Sequence, residues 1–457
     1  MIGACSVAML FGCTPHIVNE SAMPPVQGSL EFSIGNTQKE LSTGEGAWWQ
    51  QFERPVLDAL IHQAIDGNLS LAQAYARVKQ TQALTKQTRS DRLPQVNVDG
   101  EANTRFRGSD SIRGSSETGV ALDWEIDVFD RVGSAVLANT WQEKASIENV
   151  EALKLTLAAE VANAYFGTIA AQQKLTLLHD QVKTDQELLA LLELRYNNGV
   201  GTYVEVLQQQ SRVADSKSLI PNAEALRMSF EHRLDVLLGK SPDNSSRVHH
   251  HETLDFAASL PPVGVPVDLL INRPDLRVAK AQLVASDAAI GEAIADRLPS
   301  ISLDGSYVFS DTATFTGPVS LITSSFIQPL LDWGKRKAEV ERNKALYEEA
   351  LANFGQRYLE AIEEVENALT QEKSQREFLD RLEQRRKILN ATVKETEARY
   401  RQGVDDYLPV LNALQELRTV ERDLVDQRLV LVQTRIALYR ATGGRVVRHQ
   451  AGQEEAL

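Results

Sequence analysis

Three groups of side chains in this sequence have the types and spacing to do chemistry. His249, His250 and His251 stand beside Glu252, and adjacent imidazoles are ligands for Zn²⁺ or Cu²⁺. Asp123, Glu125 and Asp127 alternate with apolar residues, which puts three carboxylates on one face of a strand, where they favour cations. Cys13 closes the apolar run MIGACSVAMLFGC, the setting in which an exported cysteine accepts lipid. No P-loop, HExxH, CxxC or Gly-x-Ser-x-Gly element accompanies them, so no enzymatic step is expected. The histidine run falls in a stretch that reads as a surface loop. It is at most a weak metal candidate, and the expected covalent group is a lipid on Cys13 alone, with no other cofactor.

Composition narrows the class. The chain has 457 residues and a net charge of −14, which argues against a nucleic-acid partner. No run approaches the ~18 apolar residues of a membrane-spanning helix. Both cysteines, Cys5 and Cys13, lie near the N-terminus, so the body of the chain has no disulfide framework. Residues 1–13 read as a lipoprotein signal ending at Cys13, and 14–54 as an extended N-terminal segment.

The elements that must position these groups come twice. DRLPQVNVDG at 91–100 returns as DRLPSISLDG at 296–305, and RYNNGVGTYVEVL from Arg195 returns as RYRQGVDDYLPVL from Arg399. A spacing of about 200 residues marks a duplicated domain, since solenoid repeats run about 20–50 residues. The first repeat spans 55–245, with strands at about 95–128 and a turn at 197–202. A linker covers 246–272. The second repeat spans 273–445, with strands at about 300–330 and a turn at 401–406, and 446–457 is a tail.

Within each repeat a short alternating region sits between long helical ones. Val120, Leu122, Trp124, Ile126 and Val128 alternate with Ala121, Asp123, Glu125 and Asp127, a period of two that predicts a strand with one apolar and one acidic face. Such strands suit a membrane barrel. Two per repeat make four per chain, too few to close, and an open edge cannot sit in lipid. Pooling strands from three copies would give twelve. The helical stretches from about Ser134 to Tyr196 and from Gly334 to Tyr400 contain no proline. At ~1.5 Å per residue each would reach roughly 90 Å. Tyr347, Leu351, Phe354, Tyr358, Ala361, Val365 and Ala368 form a heptad seam in the second, and Leu175, Leu178, Val182, Leu189, Leu192 and Tyr196 form one in the first, interrupted at Asp185. Both stretches end at a glycine turn and return through a helix of some 36 residues. A soluble coiled-coil dimer with small β decorations is the alternative on these residues alone.

Seven segments then carry a family likeness: WWQQF (48–52), NLSLAQAYARV (68–78), DWEIDVFDR (123–131), NRPDLRVAKAQL (272–283), DRLPSISLDG, QPLLDWGKR (328–336) and YRQGVDDYLPVLNA (400–413). In this order and spacing the chain resembles the outer membrane factor family, the TolC-like exit channels of Gram-negative efflux pumps, and among them the NodT-type lipoproteins that serve RND pumps. The resemblance implies a mainly α protein with a membrane β-barrel: a homotrimer whose twelve strands make one barrel, continuous with a periplasmic helical barrel. It also implies a periplasmic adaptor and an inner-membrane RND pump as partners, in contact with outer-membrane lipid.

Carried over by position, the resemblance places the periplasmic aperture at Tyr400, Asp405, Asp406, Leu408 and Asn412. Adaptor docking falls at Arg195, Tyr196, Gly199, Gly201, Arg399 and Gly403, and the barrel lumen receives Asp123, Glu125 and Asp127. A closing ion pair built on an arginine at the position of Asp405 has no counterpart here. Closure is therefore expected from Leu408 packing and from hydrogen bonds of Asn412 and Tyr400. The implied function is a passive exit duct for small molecules; a type I protein-secretion channel and a non-channel envelope scaffold are the alternatives. If Cys13 is the lipid acceptor, Cys13→Ser abolishes palmitate labelling, and labelling that persists shows the assignment to be wrong.

Overall fold

The computed structural model describes residues 15–26, 31–33, 47–107, 110–243, 245–248, 252–256, 260–261, 263–312 and 315–444. Cys13, His249, His250 and His251 lie outside the described residues. After a 3-10 helix at Trp48–Phe52, the helices are α1 (Pro55–Gly67), α2 (Leu69–Ser90), α3 (Arg131–Asn197), α4 (Tyr203–Leu237), α5 (Leu269–Asn272), α6 (Pro274–Ala295), α7 (Lys335–Arg401) and α8 (Tyr407–Ala441). The strands are β1 (Gln95–Arg107), β2 (Asp110–Ile126), β3 (Ser300–Asp311) and β4 (Thr316–Ile327). The duplication is visible in the lengths. α2 and α6 have 22 residues each, α3 and α7 have 67, and α4 and α8 have 35.

The chain divides into two compact units, one of 1–27, 73–150 and 274–359, the other of 28–72, 151–273 and 360–457. The first holds the sheet, antiparallel throughout in the order β1-β2-β3-β4. Register sorts its side chains into two faces, because neighbours across a ladder point the same way. One row runs Val96, Leu122, Gly305, Ile322, and the next runs Val98, Val120, Tyr307, Ser320. The opposite face carries Gln95, Asp123, Asp304 and Thr323 in one row and pairs Glu101 with Glu117 in another. Val98 (78 %) and Ile322 (80 %) on the apolar face are far more exposed than core residues of a water-soluble sheet. β1 and β4 each have one strand neighbour among the described residues, so both edges present free backbone groups.

Alternation overran the strand by one acidic residue. β2 ends at Ile126, and the Asp127 carboxylate accepts the Gly133 N–H at 2.7 Å. This satisfies one of the donors that the first turn of α3 leaves open. Asp127 is thus a helix-capping residue, not a member of the strand face. Elsewhere in this unit the Asp287 carboxylate on α6 holds the N-terminal segment, bonded to His16 Nε2 at 2.7 Å and to the Asn19 N–H at 2.8 Å.

The second unit packs α1, α4, α8 and most of α3 and α7. Trp48 is fully buried and stacks on Tyr439 with ring centroids 5.6 Å apart, and Phe52 meets Phe166 at 5.0 Å. The WWQQF segment is therefore a plug of aromatic rings in the core of this unit. The heptad seam of α7 is buried at Ala361, Val365 and Ala368 in this unit, and at Phe354 and Tyr358 in the first. In α3 the seam positions Leu178, Val182 and Leu192 are buried, and so is the interrupting Asp185.

The two faces of the sheet should respond oppositely to charge. Val120→Lys is expected to lose up to about 2–4 kcal/mol of folding stability in a bilayer and to fall in membrane recovery, whereas Ala121→Lys on the other face is tolerated. Equal loss for both would contradict the assignment of faces.

Candidate functional site

The two helical hairpins of the second unit end in turns with the same backbone. α3 closes through Gly199 at φ +76°, with the Val200 N–H donating to the Arg195 carbonyl at 2.9 Å; α7 closes through Gly403 at φ +72°, with the Val404 N–H donating to the Arg399 carbonyl at 3.0 Å. These are C-terminal caps that need a left-handed residue, which glycine adopts without strain. A Cβ at Gly199 or Gly403 would meet nothing within 4 Å, so the backbone conformation, not space, accounts for the glycines.

Side chains then make the tips different. In the first, Thr202 and Glu205 form a reciprocal capping box at the start of α4, at 3.3 and 3.0 Å. In the second, Arg399 clamps Asp405 with bonds of 2.5 and 3.2 Å. The hydrogen bond and charge of Arg399 hold the Asp405 carboxyl below the usual carboxylate range. So an arginine does meet Asp405, but it comes from six residues earlier in the same chain.

The tyrosines diverge in the same way. Tyr196 and Tyr203 lie 5.4 Å apart and are 44 % and 54 % exposed; their repeat counterparts Tyr400 and Tyr407 lie 5.5 Å apart and are buried. Arg195 places its guanidinium 4.5 Å above the Tyr400 ring, a cation–π contact. Arg195 therefore faces a neighbouring helix of its own chain. The Tyr400 hydroxyl is buried without a hydrogen-bond partner among the described residues. Burial, and then the nearby Glu205 carboxylate, push its pKa up.

Leu408 and Asn412 are exposed, one helical turn apart on α8. Asp406 is exposed at the start of α8 and makes no side-chain cap. Gly201 sits against the Glu205 carboxylate, 3.2 Å from where a Cβ would stand. On the sheet, Asp123 is exposed, and both oxygens of Glu125 accept from Arg131 at 2.8 and 2.6 Å. Asp304, opposite Asp123 in the register, joins the acidic face; its place in the period-two pattern after Pro299 was the signal for it. Glu252, next to the histidine run, accepts from Arg54 at 3.1 Å. Among the described residues no cluster of three metal-ligating side chains exists.

A four-stranded antiparallel sheet with an exposed apolar face, on a chain that twice builds a 67-residue helix and its return, defines the class of outer-membrane channels. The model of the family described as outer membrane efflux protein matches residues 60–240 and 265–444, and the chain belongs to that family. It is 30% identical to the pyoverdine export outer membrane protein OpmQ of Pseudomonas putida, over 96% of each chain. It is 26% identical to nodulation protein T of Rhizobium leguminosarum bv. trifolii, over 91% of each. Among solved structures, the outer-membrane channel OprN superposes with a TM-score of 0.83 at 28% identity, over 92% of this chain and 99% of that one. The protein is accordingly an outer-membrane efflux component of Gram-negative type that extends into the periplasm. The scaffold alternative is set aside.

The Arg399–Asp405 clamp fixes a pH response. A carboxyl whose pKa is lowered keeps its tie above the ordinary value, and loses it as pH falls through the lowered one. Protection of the Val404 amide from hydrogen exchange should persist from neutral pH to below ~3.9 and then collapse. Protection lost at higher pH would show that Arg399 does not hold the carboxylate.

Proposed function

We propose that three copies of this chain pool their sheets into a twelve-stranded barrel and form a passive exit duct for small molecules. The observation that carries this reading is the sheet itself, apolar and exposed on one face and unpaired at both edges. An inner-membrane RND pump supplies the energy through a periplasmic adaptor. No bond is made or broken in the duct, and no cofactor is needed beyond a lipid on Cys13. The OpmQ relative is named for pyoverdine export, which favours small-molecule cargo over secreted protein.

In this assembly Leu408 and Asn412, exposed on one face of α8, each form a ring of three at the aperture. The Leu408 ring is apolar and the Asn412 ring neutral, so closure is by packing and not by a carboxylate barrier. Asp406 adds charge just below, while Asp405 is already neutralised by Arg399. The buried hydroxyl of Tyr400 lies near the Glu205 carboxylate, which can accept from it as the tips move. The exposed first tip, with Tyr196, Val200 and Tyr203 at its end, receives the adaptor around Gly199 and Gly201, and the second tip does so around Gly403. Asp123 and Glu125 keep the lumen wet and favour cations. Asp127, committed to capping α3, does not belong to that set.

Purified protein in a planar bilayer tests the reading directly. Wild type should insert as pores of low resting conductance, and Leu408→Ala should raise that conductance. Absence of pores contradicts the duct, and an unchanged conductance removes Leu408 from the aperture.

A further inference from the structure

The break in the first heptad seam has a physical counterpart. Asp185 on α3 is fully buried, and so is the group of polar side chains around it. Ser216 Oγ donates to its carboxylate at 2.6 Å, and Gln209 Nε2 donates to its carbonyl oxygen at 2.9 Å and to its carboxylate at 3.2 Å. Arg418 on α8 pairs with the same carboxylate. The Tyr407 hydroxyl, also on α8, donates to Gln209 Oε1 at 2.6 Å. One carboxylate therefore joins α3, α4 and α8.

The duplicated sequence supplies its own control. α3 and α7 match in length, as do α4 and α8, so each position of the network has a counterpart 204 residues along. Those of Asp185, Gln209 and Ser216 are Leu389, Ala413 and Val420, all buried and apolar. That of Arg418 is Ala214, which is exposed. The fold thus has an apolar solution for this seam and uses it once. The polar solution is placed where α8 of the second hairpin meets the first.

Further rungs line the α3–α8 contact. Lys174 pairs with Asp426 at 2.7 Å, and Arg422 donates to Gln181 at 3.0 Å. On the α4 side Arg212 donates to Gln415 at 2.6 Å. A seam of this kind differs from an apolar one in its response to separation. Its groups are costly to leave buried and unpaired, yet water can take over their hydrogen bonds once the helices part. An apolar seam gains nothing from water.

We infer that Asp185 and Arg418, with Gln209, Ser216 and Tyr407, are the intrachain latch that holds α8 against α3 and α4 and lets it leave. The pair are positioning residues for the duct. They set the rest position of the α8 face that carries Leu408 and Asn412. This deepens the duct reading and rests on it for its consequence in transport, while the latch contact itself has an independent readout.

The test uses the full-length protein and three variants. Arg418→Ala leaves Asp185 buried without its cation. Resting conductance should rise about tenfold or more, and amide exchange over 407–420 should quicken, while Arg418→Lys restores much of both. The combined variant Asp185→Leu, Gln209→Ala, Ser216→Val and Arg418→Leu, made with Tyr407→Phe so that no buried hydroxyl loses its acceptor, carries the apolar solution. It should melt no lower than wild type and rest as closed, yet lose pump-driven efflux in cells. A merely structural network predicts instead that the well-folded combined variant transports normally, and that result overturns the latch. So does Arg418→Ala with wild-type exchange over 407–420, whether or not pores form. Failure of wild type to conduct falls on the duct reading alone, because the exchange measurement needs no pore.

Discussion

A backbone amide placed in hydrocarbon has no water to bond, and that constraint governs how this chain can exist. β2 and β3 have strand neighbours on both sides, whereas β1 and β4 have one each among the described residues. The sheet's apolar face, with Val96, Val98, Tyr307, Ile322 and Phe326, is exposed. Four strands are too few to curl round and meet their own edge, since closed membrane barrels begin at about eight strands. The sheet is stable in a membrane only as part of a larger, closed sheet. Its opposite face, with Asp123, Asp304, Glu101 and Glu117, then lies toward water. In a sandwich the apolar face would pack on a second sheet, and among the described residues there is one sheet, with Val98 and Ile322 exposed.

Duplication explains the regularity, and divergence explains the function. Two copies of one ancestral unit give helices of equal length and turns with the same glycine cap. Selection of side chains at equivalent positions then separates their tasks. One tyrosine pair stays in solvent while the other is buried under Arg195. One tip is closed by a capping box and the other by an arginine clamp. One seam is apolar at Leu389, and the other carries Asp185. A buried carboxylate in a coiled-coil seam is weak support for stability by itself. Its value lies in choosing a partner, because one arginine on one helix satisfies it.

Much of this was legible before the fold was known, for reasons that are local. Period-two alternation marks a strand wherever one face must be apolar, and it located β2 and β3. Two proline-free stretches ending in glycine turns placed the long helices within a few residues of their ends. The same local signals explain the misreading at Asp127. Alternation runs one acidic residue beyond the point where the ladder stops, and a capping carboxylate looks like a strand carboxylate until the helix start is seen. Long-range partners carry no such signal. The interruption at Asp185 shows as a break in a heptad, but Arg418 is 233 residues away and nothing in either neighbourhood names the other. Nor does anything near Arg195 in the sequence name Tyr400, because that contact crosses from one repeat to the other.

The proposed duct requires that this sheet be completed by other copies of the same chain. Native mass spectrometry of the detergent-extracted outer-membrane protein measures that most directly. A particle of three chains, with one lipid per chain if Cys13 is acylated, is the predicted result. A single chain, or a dimer released without detergent, would contradict it, because four strands cannot close on themselves and a particle free in water is not a membrane barrel.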